Sequence, residues 1–188
     1  MKYLKLTILC ISISSLFTTS FAQDKFFTKS GKAQFDATTP TSPEKVGATT
    51  NALICVIDTK TGAIQFSVVM KSFEFKNALM QEHFNENYVE SHKFPKAEFK
   101  GSILNNSEVN YSKDNTYKVR VKGQLSIHGI SKEIETEGSL VVKSSKINAN
   151  AVFTAALKDY DIAVPGLVAD KVATNAKIII ECTLEPLK

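Results

Sequence analysis

The stretch Tyr117-Lys118-Val119-Arg120-Val121-Lys122-Gly123-Gln124-Leu125-Ser126-Ile127-His128-Gly129-Ile130-Ser131-Lys132-Glu133-Ile134-Glu135-Thr136-Glu137-Gly138-Ser139-Leu140-Val141-Val142 decides the fold. Tyr117, Val119, Val121, Leu125 and Ile127 alternate with Lys118, Arg120, Lys122, Gln124 and Ser126, the period of two of a strand with one dry and one wet face. His128-Gly129 interrupts the alternation, and Gly129 can take the positive φ of a tight hairpin turn. The returning strand puts Ile134, Thr136, Gly138, Leu140 and Val142 on its dry side, with Glu133, Glu135 and Glu137 outward to face the Lys and Arg of its neighbour.

The same grammar extends in both directions. After Ser144-Ser145-Lys146, the residues Ile147, Ala149, Ala151, Phe153, Ala155 and Leu157 form a dry face made mostly of alanine. Small residues there either let a neighbouring strand approach closely or leave room inside for something other than side chain. Upstream, 51–58 is an apolar strand, Asp58-Thr59-Lys60-Thr61-Gly62 a hairpin loop, and Ile64, Phe66, Val68 and Met70 the next dry face. Phe73 and Phe75 fall in the opposite phase, which predicts a bulge or strand end near Lys71-Ser72. Strands at 26–35, 97–104 and 174–184 complete a set of eight, and the loop 36–47, with Pro40 and Pro43, leaves room for a helical turn after Ser42. One helical block, with Met80, Phe84 and Tyr88 four apart on a single stripe, lies between the third and fourth strands. The expected fold is all-β, an eight-stranded antiparallel barrel with one helical insertion acting as lid or plug, able to close without a free edge.

At the N-terminus, basic Met1-Lys2-Tyr3-Leu4-Lys5 precedes an apolar run from Leu6 to Phe17, and Ser20-Phe21-Ala22 places small residues three and one before a cut. This reads as a secretory signal peptide over 1–22, cleaved after Ala22, with a domain over 23–188 in the periplasm or outside the cell. Cys10 follows the bulky Leu9 and is expected to leave with the leader rather than carry a lipid. Loss of Lys2 and Lys5 takes the formal charge from +4 to +2. With Arg120 as its single arginine and no basic cluster, the chain lacks the footprint of a nucleic-acid binder. Cys55 and Cys182 sit within apolar strand patterns and are expected as buried free thiols. Nothing in the pattern sets an oligomeric state.

Catalytic constellations are missing from the sequence. His83, His92 and His128 show no HExxH or HxH spacing, no Gly-x-Ser-x-Gly elbow or phosphate loop is present, and surface or capping roles are expected for the histidines. No metal or cofactor is expected, and the chain reads as a binder rather than an enzyme. The expected ligand-facing residues are Ile64, Phe66, Val68 and Met70, then Val119, Val121, Leu125 and Ile127, then Phe153 and Leu157. Met80, Phe84 and Tyr88 join them from the helix, where the stripe can equally be plain core, and Lys158 and Tyr160 are candidates for a polar rim.

The block Leu79-Met80-x-Glu82-His83-Phe84-Asn85-Glu86-Asn87-Tyr88-x-Glu90-Ser91, then Phe94-Pro95-Lys96-Ala97-x-Phe99-x-Gly101, then Gly123-x-Leu125-x-Ile127-His128-Gly129-x-x-Lys132, resembles the YceI-like family of bacterial envelope proteins. The resemblance covers the expected mature chain. It implies an extended, lipocalin-like barrel whose apolar interior takes a long isoprenoid chain, such as a polyprenyl diphosphate or a quinone tail, and it carries no catalytic residues. After the penultimate strand, where the widespread branch has an Arg-x-aromatic-Gly element, this chain has Leu157-Lys158-Asp159-Tyr160-Asp161 and so resembles a shorter branch. The expected function is sequestering or carrying such a lipid, with peripheral membrane contact. The rival is a filled barrel acting as an envelope stress or protein-interaction module, and a weaker third is a haem or metal carrier using a histidine.

Overall fold

The computed structural model describes residues 24–187. The expected signal peptide, its cleavage point and Cys10 lie outside the described residues.

Eight strands run in chain order: β1 (Lys25–Thr38), β2 (Gly47–Asp58), β3 (Ala63–Val69), β4 (Lys96–Ile103), β5 (Asn115–Ile127), β6 (Ile130–Lys143), β7 (Lys146–Ala156) and β8 (Val172–Pro186). Each pairs antiparallel with the next, and β8 pairs back onto β1, so the sheet closes without an edge. The short α1 (Ala78–His83) is inserted between β3 and β4. This is the expected barrel with its single helical insertion.

The quoted hairpin folds as its alternation requires. Tyr117 pairs with Leu140, Val121 with Thr136 and Ile127 with Ile130, while outward Lys122 reaches Glu133 at 3.0 Å. The intervening turn has two residues, both at positive φ, His128 at 51° and Gly129 at 75°, matching the right-handed twist of the strands it joins. Phe94 packs against Gly129 so closely that a Cβ there would stand 2.5 Å from its ring, so this position needs glycine twice over.

Several boundaries differ from expectation for physical reasons. β1 runs on to Thr38 and β2 starts at Gly47, so the loop between them shrinks to 39–46, with a hydrogen-bonded turn from Thr39 to Ser42 and only bends where a helical turn after Ser42 was expected. The interior phase of β1 changes between Thr28 and Gly31, and that of β2 changes between Thr50 and Leu53. These matched irregularities hide the period of two from a reader of either strand alone. Gly31 sits at this irregularity in a tight spot: a Cβ would lie 2.7 Å from Cys182 Sγ and 3.0 Å from the Leu53 carbonyl. β3 ends at Val69 in a single 3-10 turn over Met70–Ser72, which is the strand end expected near Lys71-Ser72. β7 stops at Ala156, and Leu157–Tyr160 is a 3-10 turn rather than strand.

Alternate connections share one end of a meander. The β2–β3, β4–β5 and β6–β7 connections close one end, which Ile57, Ile147, Leu184 and Cys55 fill with almost no exposure. Cys55 and Cys182 are buried there as free thiols. The hydrogen bond between them, with burial, pushes the Cys55 thiol well above the ordinary range. The other end carries the β1–β2 loop, α1, the β5–β6 turn and the long β7–β8 connection.

Candidate functional site

The half of the barrel beneath α1 is not filled by side chains. A cavity of about 420 Å³ runs inward from that end, floored by Leu53, Ile103, Leu140 and Ala149. Its size falls in the range of roughly 300–1,000 Å³ typical of small-molecule sites. Among the residues lining it, the charged side chains are Glu44, Glu98 and Lys171. The walls are otherwise aliphatic and aromatic with a few small polar groups, a surface that gains from an apolar chain and offers a charged group little.

The dry faces supply the walls. Ile64, Phe66, Val68 and Met70 line the cavity from β3 and the turn after it, Val119, Val121, Leu125 and Ile127 from β5, and Phe153 and Leu157 from the end of β7. Ala149, Ala151 and Ala155 line it too, and the hydrogen-bonded neighbour of Ala151 on β6 is Gly138, another lining residue without a side chain. The run of small residues therefore stands where the open space is.

The lid is built from its own sequence signals. Asn77 caps α1, its side-chain oxygen accepting from the backbone N–H of Leu79 at 3.0 Å and of Met80 at 3.3 Å. After six residues the helix widens into a π-helical turn over Phe84–Tyr88, which differs from the regular helix expected across Leu79–Tyr88. Met80, Phe84 and Tyr88 all face the cavity even so. Phe84 stacks on Phe35 of β1 with centroids 5.2 Å apart and meets Phe75 at 5.0 Å and Phe73 at 5.9 Å. Phe35 meets Phe73 and Phe75 edge-on, both at 5.6 Å. This cluster clamps the lid to the rim, each aromatic pair contributing about 0.5–1.5 kcal/mol beyond its burial.

A second clamp holds the segment that leaves the lid. His128 Nδ1 lies 2.9 Å from the Tyr160 carbonyl, and Nε2 lies 3.0 Å from Glu90 Oε2. Both ring nitrogens thus have a hydrogen-bond partner, one on each of two separate segments. Glu90 sits at φ 42° and also pairs with Lys93, and its carboxyl is held below the usual range, first by Lys93 and then by His128. His128 thus ties the β5–β6 turn to the lid exit and to the turn after β7. The sequence had offered it only a surface or capping role; its signal was the neighbouring Gly129.

Of the two rim candidates, Tyr160 lines the cavity and is 2% exposed, while Lys158 is exposed and outside the lining. Burial pushes the Tyr160 phenol up, with Asp159 adding to it, so the hydroxyl stays protonated and able to donate. The polar rim instead includes Ser42, Glu44, Asn77, His83 and Lys171, which come from three interstrand connections and share no sequence period. Among the described residues no group of three or more His, Cys, Asp or Glu converges as a metal site would require. No described helix is long and apolar enough to cross a membrane.

Known proteins fit this geometry. A polyisoprenoid-binding domain from Saccharophagus degradans, implicated in plant cell wall breakdown, superposes with a TM-score of 0.72 at 12% identity, covering 87% of this chain and 99% of that one. BcnA of Burkholderia cenocepacia superposes with a TM-score of 0.64 at 12% identity, covering 82% of this chain and 95% of that one. At such identities the likeness is one of fold. No curated protein matches the chain. The family model for the YceI-like domain matches residues 10–184, and the chain belongs to the YceI-like family.

Proposed function

We propose that the protein is an exported lipid carrier that shelters a long isoprenoid chain, of the polyprenyl or quinone type, inside the barrel. The observation that carries this reading is the apolar cavity itself, open at the lidded end and walled by the dry faces of the strands. Each methylene moved from water into such a space contributes about 0.8 kcal/mol, so a slender chain is held by area with few polar contacts. The Saccharophagus degradans domain, of the same fold, is described as polyisoprenoid-binding, which supports the same class of ligand here. The cavity favours this reading over a filled barrel, in which side chains would occupy that space.

In this reading Met80, Phe84 and Tyr88 close over the chain, and the hydroxyl of Tyr160 offers a donor to an oxygen of the ligand. No catalytic role is proposed for any residue. The leader over 1–22 delivers the chain to the periplasm or beyond. Titration with a fluorescent polyisoprenoid, competed by unlabelled polyprenol and by a long-tailed quinone, tests the reading. Saturable one-to-one binding is expected, and absence of any displacement would count against it.

A further inference from the structure

A carrier of an insoluble chain must collect it from a membrane, and one segment at the cavity mouth has the composition for that contact. The β7–β8 connection contains Ile162-Ala163-Val164-Pro165-Gly166-Leu167-Val168-Ala169, eight residues without a charged, hydroxyl or amide side chain. Leu167 at its tip is 91% exposed, far beyond any other large hydrophobic side chain among the described residues. The chain stays at the cavity mouth beyond the tip, since Val168, the next residue, and Lys171 both line the cavity. Leu79 at the start of α1 is 57% exposed and lines the cavity as well.

The tip is held in a defined local fold. It folds as a 3-10 turn over Gly166–Val168, in which the N–H of Val168 donates to the Pro165 carbonyl at 3.0 Å and that of Lys171 to the Val168 carbonyl at 2.9 Å. Pro165 has no N–H to satisfy. The base of the loop is fixed to the rim, because Thr39 and Thr41 hydroxyls both donate to the Asp170 carbonyl.

We propose that this loop, with Leu79, is a membrane-docking edge that seats the open end of the barrel on the surface of a bilayer so that the chain passes directly between lipid and cavity. The proposal rests on the lipid-carrier reading above. A bilayer is favoured over a protein partner because the tip has no aromatic or arginine anchor and no side-chain hydrogen-bonding group, the features on which protein interfaces depend. Charge near the loop is mixed, with Lys158 and Lys171 against Glu44, Asp159, Asp161 and Asp170. The expected contact is therefore apolar insertion into a zwitterionic surface, not attraction to an anionic one.

The test is flotation of the mature chain with phosphatidylcholine vesicles, in low salt and in high salt, for the parent protein, Leu167→Asp, and Leu104→Asp as a control at the closed end of the barrel. Binding by the parent that survives high salt is expected, with a loss of about tenfold for Leu167→Asp and none for Leu104→Asp. No binding by the parent, equal binding by Leu167→Asp, or equal loss in Leu104→Asp overturns the proposal. So does binding that needs anionic lipid and disappears in salt. Binding of a detergent-dispersed polyisoprenoid is measured on the same variants. Leu167→Asp keeps it if only docking is lost, whereas its absence in the parent is a failure of the carrier reading itself.

Discussion

Ala151→Leu separates an open barrel from a packed one by the sign of its effect. Ala151 lies on β7 between Gly138 of β6 and Ile180 of β8, and all three line the cavity. Leucine adds three carbons at a place where the facing strand has no side chain. At about 0.8 kcal/mol per buried methylene the gross gain is roughly 2.4 kcal/mol, and fixing the leucine rotamer costs about 0.5–1 kcal/mol. The ligand-free barrel should therefore gain about 1–2 kcal/mol, a rise of about 2–8 °C in melting temperature for a chain of this size. The same three carbons occupy space that an isoprenoid chain would fill, so affinity should fall roughly 50-fold. The assay is thermal unfolding without ligand beside competition binding of a fluorescent polyisoprenoid. A close-packed interior would answer in the other direction, with overpacking strain of about 1–3 kcal/mol and a lower melting temperature. That outcome, or unchanged binding, would refute the reasoning.

Gly31→Ala forces a methyl to within 2.7 Å of Cys182 Sγ and should cost about 1–3 kcal/mol, with part of the loss recovered in the double variant with Cys182→Ala; denaturant unfolding measures both. Tyr160→Phe removes one hydroxyl from the cavity wall and should weaken an oxygen-bearing ligand about fivefold while leaving a plain hydrocarbon unaffected, as paired titrations will show. The Glu90 carboxyl is depressed in the folded state, so its pairing stabilises above the unfolded carboxylate range and is lost as pH falls through the lower folded value. The melting difference between the parent and Glu90→Gln should accordingly be largest near neutrality and vanish in acid. Cys55 and Cys182 should resist thiol reagents in the native protein and give two free thiols when the mature chain is denatured without reductant; a count of zero in a monomer means a bridge.

What could be read in advance depended on whether a residue's neighbours along the chain share its constraint. β5 and β6 were legible because Lys118, Arg120 and Lys122 mark the wet phase against Glu133, Glu135 and Glu137, with no bulge to break the count. β1 and β2 were not legible to their ends, because their interior phase shifts near Ser30 and Ala52 and their inner faces include Gly31, Ala33 and Thr50, which carry little hydrophobic signal. The wall residues of the cavity followed from phase alone, Ile64 through Met70 being the plainest case. The cavity did not, since an alanine face means space only if the facing wall is also small, and Gly138 opposite Ala151 is a fact of register. The rim was least legible of all. Lys171 and Glu44 reach it through loops whose path is set by contacts such as Thr39 and Thr41 with the Asp170 carbonyl, about 130 residues apart in sequence. Lys158, chosen for its charge and position, is exposed and not among the lining residues.

The central claim is that the barrel holds a lipid chain in its natural state, and native mass spectrometry of the protein purified gently from its own cells tests this most directly. The account predicts a population whose mass exceeds that of the chain from Gln23 to Lys188 by one isoprenoid molecule. That adduct should be released by organic extraction and absent from protein carrying Ala151→Leu. A native mass equal to the polypeptide alone, from protein that also fails to take up any added polyisoprenoid, would contradict it.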